Sequence, residues 1–309
     1  MDQDSLRITT FNELLDQYIL EKPLSEASKA SYRRILNCFT QDTGITRITD
    51  VSFSKLLRWR MDVLTRSSDI TWNTYLRHMR ALWRFAIHRG YGGTSIDHFA
   101  ELNWGRNRVT RKKTVTTDQL RTIMSVLSGP ECSLEPCWFW KLVVKFLYFT
   151  GVRRRQLVSI TWGDVDLDQG TIHLSAEGEK TGRSRDIPIH QALFEDLTEY
   201  RDLMKGRFPA FFKPEAQLFN VTLFYERYRG RQLTEDQVSG FFRRLSDAAG
   251  FKVSAHMLRH TMATEIAKTG QIKSLQQILG HANIHTTMSF YVHPDIKQLR
   301  KTLDRLGGI

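Results

Sequence analysis

The sequence predicts a mostly α-helical protein in two parts: an all-helical N-terminal domain, and a mixed α+β domain carrying a small antiparallel sheet. Three observations support this. Apolar residues recur at helical spacing across most of the chain. Around Thr171–Leu174 and Arg185–His190 the pattern turns β-branched and alternating. Near residues 103–115 periodicity lapses in a run containing Arg106, Arg108, Arg111, Lys112 and Lys113. A chain of 309 residues can bury two separate cores. The expected layout is a helical domain at 1–102, a basic linker at 103–115, and a second domain at 116–309.

The first domain reads as four helices. Phe11, Leu14, Leu15 and Tyr18 mark the first, and Tyr32, Ile35 and Phe39 line one side of a second from Ser25 to Phe39. Phe53, Leu56, Leu57 and Met61 form a third. The fourth, Asp69 to Arg89, has a wide apolar stripe of Leu76, Met79, Leu82, Trp83 and Ala86, and Gly90, Gly92 and Gly93 end it.

In the second domain, Thr116-x-x-Gln119 is a capping box ahead of Leu120, Ile123 and Leu127. An apolar helix, Trp138 to Phe149, stops at Gly151. Then come a turn, a strand at Thr171–Leu174, a bend at Glu177–Gly182, and a second strand that Pro188 would place at a sheet edge. A second capping box, Thr234-x-x-Gln237, opens a helix with Val238, Phe241, Phe242 and Leu245 that ends near Gly250.

Lys and Arg number 45 against 33 Asp and Glu, a net charge of +12. That excess suits a polyanion such as DNA, although charge alone does not separate a DNA binder from an ordinary basic protein. Lys29 and Arg33 on the second helix, with Arg77, Arg80 and Arg84 on the fourth, are candidates for phosphate or major-groove contacts. Arg111 and Lys112 are candidates for a strap across the backbone of a duplex. Cys38, Cys132 and Cys137 are odd in number and lack a second ligand pair, so free thiols, no metal site and a reducing compartment are expected. The N-terminus lacks the basic start and apolar core of a secretion signal, and no apolar run approaches the roughly 20 residues that span a bilayer. A cytoplasmic protein with no membrane partner is the expectation.

The densest signal lies between Ser254 and His293. His256 and Arg259, three apart, share a helix face, while Leu258, Met262 and Ile266 form the buried side and Gly270 closes the helix. A helix from near Ser274 ends at Gly280, with His281 just beyond, and Thr286 or Thr287 caps a last short helix carrying Tyr291. Proton-carrying groups thus arrive from three consecutive helix ends. His256 and His260 at i, i+4 suggest zinc only superficially, because H-M-L-R-H lacks the glutamate of H-E-x-x-H. His260 itself reads as a supporting or core histidine.

H-x-L-R-H-T at His256–Thr261, L-G-H at Leu279–His281 and T-T-x-x-x-Y-x-H at Thr286–His293, in this order, resemble the tyrosine recombinase (phage integrase) family. The resemblance runs from about residue 8 to 295 in a compact, Xer-like two-domain layout. It implies a helical core-DNA-binding domain, with Thr71–Arg77 matching part of it, and a catalytic domain that cuts and rejoins double-stranded DNA through a 3′-phosphotyrosyl intermediate and a Holliday junction. It makes Tyr291 the nucleophile and Arg259 the second arginine. T-G-V-R-R-R-Q-L at Thr150–Leu157 resembles the block that supplies the first, at Arg153. Lys180 matches the hairpin lysine and is assigned to the leaving 5′ oxygen. His256 and His281 share the tyrosine proton and the phosphate contact. No cofactor or metal is required. After Pro294, the apolar stripe Ile296, Leu299, Leu303 and Leu306 could fold back on its own domain; the resemblance implies instead a tail that docks on a neighbour in a homotetramer on paired sites, and whether a second recombinase or a DNA-bending factor takes part stays open.

Two departures stand out. Gln156 occupies a position that is usually acidic in the family, and Tyr291 is ten positions after His281 (291 − 281), where nine is commoner and would fall on Phe290. They keep a catalytically silent DNA-binding relative in view, and the shared nicking chemistry, used without paired sites, keeps a type IB topoisomerase-like relaxing enzyme as the other alternative.

Overall fold

A computed structural model describes residues 8–93, 95–106, 113–176 and 184–280. Tyr291, His281, Lys180, Arg111, Lys112 and the 296–306 stripe lie outside the described residues. The chain divides into two compact units, Met1–Thr110 and Arg111–Ile309.

In the first unit α1 (Phe11–Glu21), α2 (Glu26–Thr43), α3 (Phe53–Arg66) and α4 (Asp69–Arg89) follow the expected order. Their ends are set by local chemistry. Thr10 and Glu13 form a reciprocal capping box on α1, and Ser25 and Ser68 cap α2 and α4. The backbone N–H groups of Thr10 and Thr9 hold the Glu13 carboxyl below its ordinary range. Gly44 and Gly90 end α2 and α4 in the left-handed conformation, at φ +68° and +70°. The core is aromatic: the ring of Trp59 meets Phe39 at 4.9 Å and Trp72 at 5.2 Å, edge to face. That decides which face of α3 turns inward. Leu56, Trp59 and Val63 are buried, whereas Leu57 and Met61, which helped mark this helix in the sequence, are 40% and 60% exposed. Trp59 is the largest apolar group on the helix, and its position sets the rotation.

The segment after α4 lacks periodicity because side chains satisfy its backbone. Trp83 Nε1 donates to Ile96 O at 2.9 Å and Trp72 Nε1 to Asn103 O at 3.0 Å. Asn73 exchanges two bonds with Gly105, and Arg106 N donates to Asp69 Oδ1 at 3.1 Å. Residues of the 103–106 stretch, assigned to the linker from sequence, are thus hydrogen-bonded to α4, and Asn103 O also accepts from Arg60 Nε of α3 at 3.3 Å.

The second unit is built around α6 (Cys137–Thr150), whose Phe139, Trp140, Val143, Val144, Phe146 and Leu147 are all buried. A helix packed over most of its circumference needs a wide apolar face, and the two lysines, Lys141 and Lys145, fall with exposed Trp138 on the remaining, partly exposed side. Around it lie α5 (Thr117–Ser128), α8 (Gln191–Arg207), α9 (Glu235–Ala249) and α10 (Ala255–Lys268). Two short helices, α7 (Arg154–Ser159) and α11 (Ile272–Leu279), complete it. The sheet runs β1 (Val165–Asp166), β2 (Thr171–Leu174), β3 (Arg185–Pro188), all antiparallel. Pro188 sits on the β3 edge opposite Thr171. The two-residue strand β1 and helix α8, buried through Leu193, Leu197, Tyr200 and Met204, are additions to the sequence reading.

One expectation is overturned. Cys132 and Cys137, read as free thiols, form a disulfide with their Cα atoms 6.4 Å apart, leaving Cys38 as the free cysteine. Two cysteines five apart carry no pairing signal; the turn between α5 and α6 brings them together. Among the described residues, no helix is long and apolar enough to cross a membrane.

Candidate active site

The site is organised by one guanidinium. Arg259 lies on α10, which Ser254 caps by accepting from Met257 N at 3.2 Å. The helix packs against both α6 and α11, so it buries two faces: Leu258 and Met262 as the apolar pattern predicts, and also Arg259, His260 and Thr261. Arg259 is only 3% exposed. Its Nη1 donates to Gly151 O and its Nη2 to Leu279 O at 3.0 Å. These carbonyls belong to the C-terminal ends of α6 and α11, where the last C=O groups have no partner within the helix and the macrodipole is negative. A fixed cation there satisfies two orphan acceptors and pins two helix ends together. A guanidinium has five N–H donors, so two carbonyl bonds do not exhaust it.

That pin places Arg153. It follows Gly151 by two residues, so its Cα lies within about 7 Å of the Gly151 Cα by chain geometry. Arg153 is the N-cap of α7, and its N–H donates to Gln156 Oε1 at 2.9 Å. Gln156, unusual on the family comparison, is 1% exposed and completes the first turn of α7 as a neutral acceptor. Arg154 turns away to Glu235 and Ser239 on α9. His256 is one helical turn from Arg259 and exposed. Its Nε2 lies 2.8 Å from Nε2 of His260, which is 4% exposed, and the rings meet edge to face at 4.1 Å. One imidazole donates and the other accepts, so this contact occupies Nε2 of His256 and fixes how its ring is turned.

One contributor had no signal in the sequence reading. Arg185 on β3 donates through Nε to Ile278 O at 3.0 Å, the carbonyl immediately before the one that Arg259 takes. Two arginines from different elements thus grip consecutive carbonyls of α11, tying the strand that follows the Lys180 segment to the helix that precedes His281. Gly151 is equally specific. It has φ +61°, and a Cβ there would come within 1.9 Å of Met262 Cε.

His256 and Arg259 thus lie one turn apart on α10, and the Arg153 backbone follows two residues after the carbonyl that Arg259 takes. Lys180, His281 and Tyr291 are outside the described residues. In the first unit, Arg33 and Arg77 are exposed beside an edge-to-face contact of 4.6 Å between Tyr32 and His78 that joins α2 to α4. Burial, assisted by the charges of Arg77 and Arg34, holds His78 below its ordinary pKa. Lys29 is paired with Glu26 at 2.7 Å. Arg80, grouped with these cations from sequence, turns inward: it donates to Phe99 O, Ala100 O and Leu102 O at 2.8, 3.0 and 2.6 Å and lies 4.5 Å from the Trp104 ring. Three carbonyls of the segment after α4 hold it.

A buried arginine on a helix that begins H-x-L-R-H, joined to a second arginine block and to a small antiparallel sheet, is the arrangement of a DNA strand-transfer enzyme of the tyrosine type. The phage integrase family model matches residues 113–298, and the chain belongs to that family, as a tyrosine recombinase acting on DNA. It is 32% identical over 308 residues to a putative tyrosine recombinase XerC of Pseudomonas aeruginosa, covering 95% of this chain and 71% of that protein. A Pseudomonas syringae protein of the same description is 29% identical, with 96% and 64% covered. Among solved structures, the Tn1549 transposon integrase in complex with transposon right-end DNA superposes with a TM-score of 0.77 at 23% identity, covering 97% of this chain and 100% of that one. A lambda integrase tetramer bound to a Holliday junction gives 0.73 at 18%, with 94% and 82% covered. At these identities the structural likeness speaks for the fold.

Proposed function

We propose that the chain is a site-specific recombinase in which Tyr291 attacks a phosphodiester and conserves its energy as a 3′-phosphotyrosyl ester. The Tyr291 oxygen forms the new bond to phosphorus, the P–O5′ bond breaks, and its electron pair leaves on the 5′ oxygen. Lys180 supplies the proton that this oxygen needs, and His256 or His281 takes the one that Tyr291 loses. Arg153 and Arg259 face the phosphoryl oxygens, whose charge rises in the transition state; guanidiniums remain charged and bind two oxygens at once. Rejoining reverses the steps with a 5′ hydroxyl of the partner strand. Two such exchanges, one pair of strands at a time, pass through a Holliday junction on a homotetramer at paired sites. Residues 1–102 serve as the core-DNA-binding domain, with Lys29, Arg33 and Arg77 toward the duplex and the 103–115 segment, including Arg111 and Lys112, as strap. The tail stripe 296–306 docks on the neighbouring subunit.

One observation carries this reading: Arg259 holds Gly151 O and Leu279 O together, so the chain leading to Arg153 and the chain leading to His281 start from one point. The test is a nicked suicide duplex carrying the cognate site, on which cleavage cannot be reversed. A covalent protein–DNA adduct is expected, lost in Tyr291→Phe while binding persists. An adduct that survives Tyr291→Phe, or no adduct on a site the protein demonstrably binds, would refute it.

A further inference from the structure

Away from the Arg259 site, the second unit carries an exposed cluster of arginines arranged on aromatic rings. The Arg227 and Arg231 guanidiniums lie 5.7 and 5.6 Å from the Tyr228 ring. Those of Arg207 and Arg229 lie 5.4 and 5.7 Å from the ring of Phe208. Tyr228 and Arg229 are consecutive, so the two ring-centred groups adjoin. All four arginines are exposed. Among the described residues none of the four meets a carboxylate, unlike Arg66, Arg84, Arg89, Arg121, Arg154 and Arg201, each of which does.

The backbone under this cluster is held in place. Arg231 O accepts from Asn220 Nδ2 at 2.8 Å and from Thr222 Oγ1 at 2.6 Å, and both of those residues are buried. Tyr225 is anchored through its hydroxyl to Glu135 O. Phe208, the ring under one pair, is 7% exposed and packs on Phe224 at 5.4 Å. A rigid base and a ring beneath each guanidinium reduce the entropy lost when that side chain is immobilised by a ligand. A guanidinium over a ring keeps N–H donors for oxygen acceptors, and Arg229 spends one of its five on Leu223 O at 3.4 Å. Exposed cations without a carboxylate partner fit phosphate oxygens.

We propose that this surface is a second, sequence-independent contact for the phosphate backbone of duplex DNA, additional to the cations of α2 and α4. It rests on the DNA-recombinase reading and extends it to a part of the chain for which no function has been assigned. The position is suitable. Arg231 precedes Glu235 by four residues, so their Cα atoms are at most about 14 Å apart. Glu235, on the first turn of α9, is the residue that holds Arg154, next to Arg153. The cluster therefore begins within a few residues' reach of the segment that neighbours Arg153.

The experiment compares full-length wild type with Arg207, Arg227, Arg229 and Arg231 all changed to Gln, measuring affinity for a 60-bp duplex of arbitrary sequence over a range of salt. Each phosphate contact contributes about 0.9 to the slope of log K against log salt. The variant slope is expected to be shallower by about two to four, with thermal unfolding unchanged. The four changed to Lys should keep the slope and lose affinity, since the charge stays and the fork is lost. If the quadruple variant folds poorly, Arg227→Gln with Arg231→Gln alone should remove about one to two of slope. A variant slope within about 0.5 of wild type would overturn the proposal and leave an acidic protein as the better partner for this surface. If wild type shows no salt-dependent binding at all, the underlying DNA reading fails instead, so the two failures are distinguishable.

Discussion

Gly151→Ala tests the geometry on which the site depends. Gly151 ends α6 at φ +61°, a conformation that costs an L-residue about 1–2 kcal/mol. The new methyl would also overlap Met262 Cε at 1.9 Å, with Leu279 Cδ2 at 3.6 Å behind it. Met262 is 5% exposed and packed among Ala263, Leu275 and Leu279, so its flexible end yields only by disturbing that cluster. Overpacking of this kind costs about 1–3 kcal/mol, toward the low end for a methionine. The sum is about 2–3 kcal/mol, or a fall in Tm of about 4–12 °C for a unit of this size. Activity should fall further than stability, because Gly151 O orients Arg259. The assay is thermal unfolding together with covalent-complex formation, run as a double-mutant cycle with Met262→Ala. Removing the methionine relieves the overlap but not the backbone strain, so the two changes should couple by about 1–2 kcal/mol. Additivity within about 0.5 kcal/mol would refute the steric argument.

Other consequences can be checked separately. Arg259→Lys replaces a fork that spans two carbonyls with a point charge; strand cleavage should drop about 10²–10³-fold in single-turnover assays, with DNA binding largely kept. Gln156→Ala removes the acceptor for Arg153 N–H from a buried position and should destabilise by about 1–2 kcal/mol in urea unfolding. Burial alone would raise the pKa of Asp42, but hydrogen bonds from Arg66 and Trp59 outweigh it and hold the carboxyl below its ordinary value. Its stabilising effect is therefore complete above about pH 4 and lost as pH falls through the depressed pKa, so Asp42→Asn should flatten the acid limb of stability in urea titrations between pH 2 and 6. His78 is held low chiefly by burial, with Arg77 and Arg34 adding to it. Phosphates against Arg33 and Arg77 should raise it, and an imidazole NMR titration that does not move when DNA binds would take this face out of the interface.

Local patterns made a large share of the molecule legible. The capping boxes at Thr116 and Thr234 report helix starts through hydrogen bonds confined to one turn, and apolar spacing reports four helices of the first unit and the central helix of the second. The family blocks singled out Arg153, His256 and Arg259 as candidates because motif spacing along the chain is itself a one-dimensional quantity. What stayed illegible depends on contacts between distant segments. The rotation of α3 follows from where Trp59 finds Phe39 and Trp72, and no count along the helix contains those partners. Arg80 resembles its exposed neighbours in sequence, yet carbonyls about twenty residues further on claim it.

The same division holds at the candidate active site. By itself the sequence determined which residue types could perform strand transfer, because chemistry requires a nucleophile, fixed cations and proton carriers whatever the fold around them. Only the tertiary structure decided that Arg259 would grip Gly151 O and Leu279 O, that Arg185 would take the adjoining carbonyl, and that His260 would hold His256. Those bonds join residues up to 108 positions apart, and they exist because buried helix ends must find donors wherever packing supplies them.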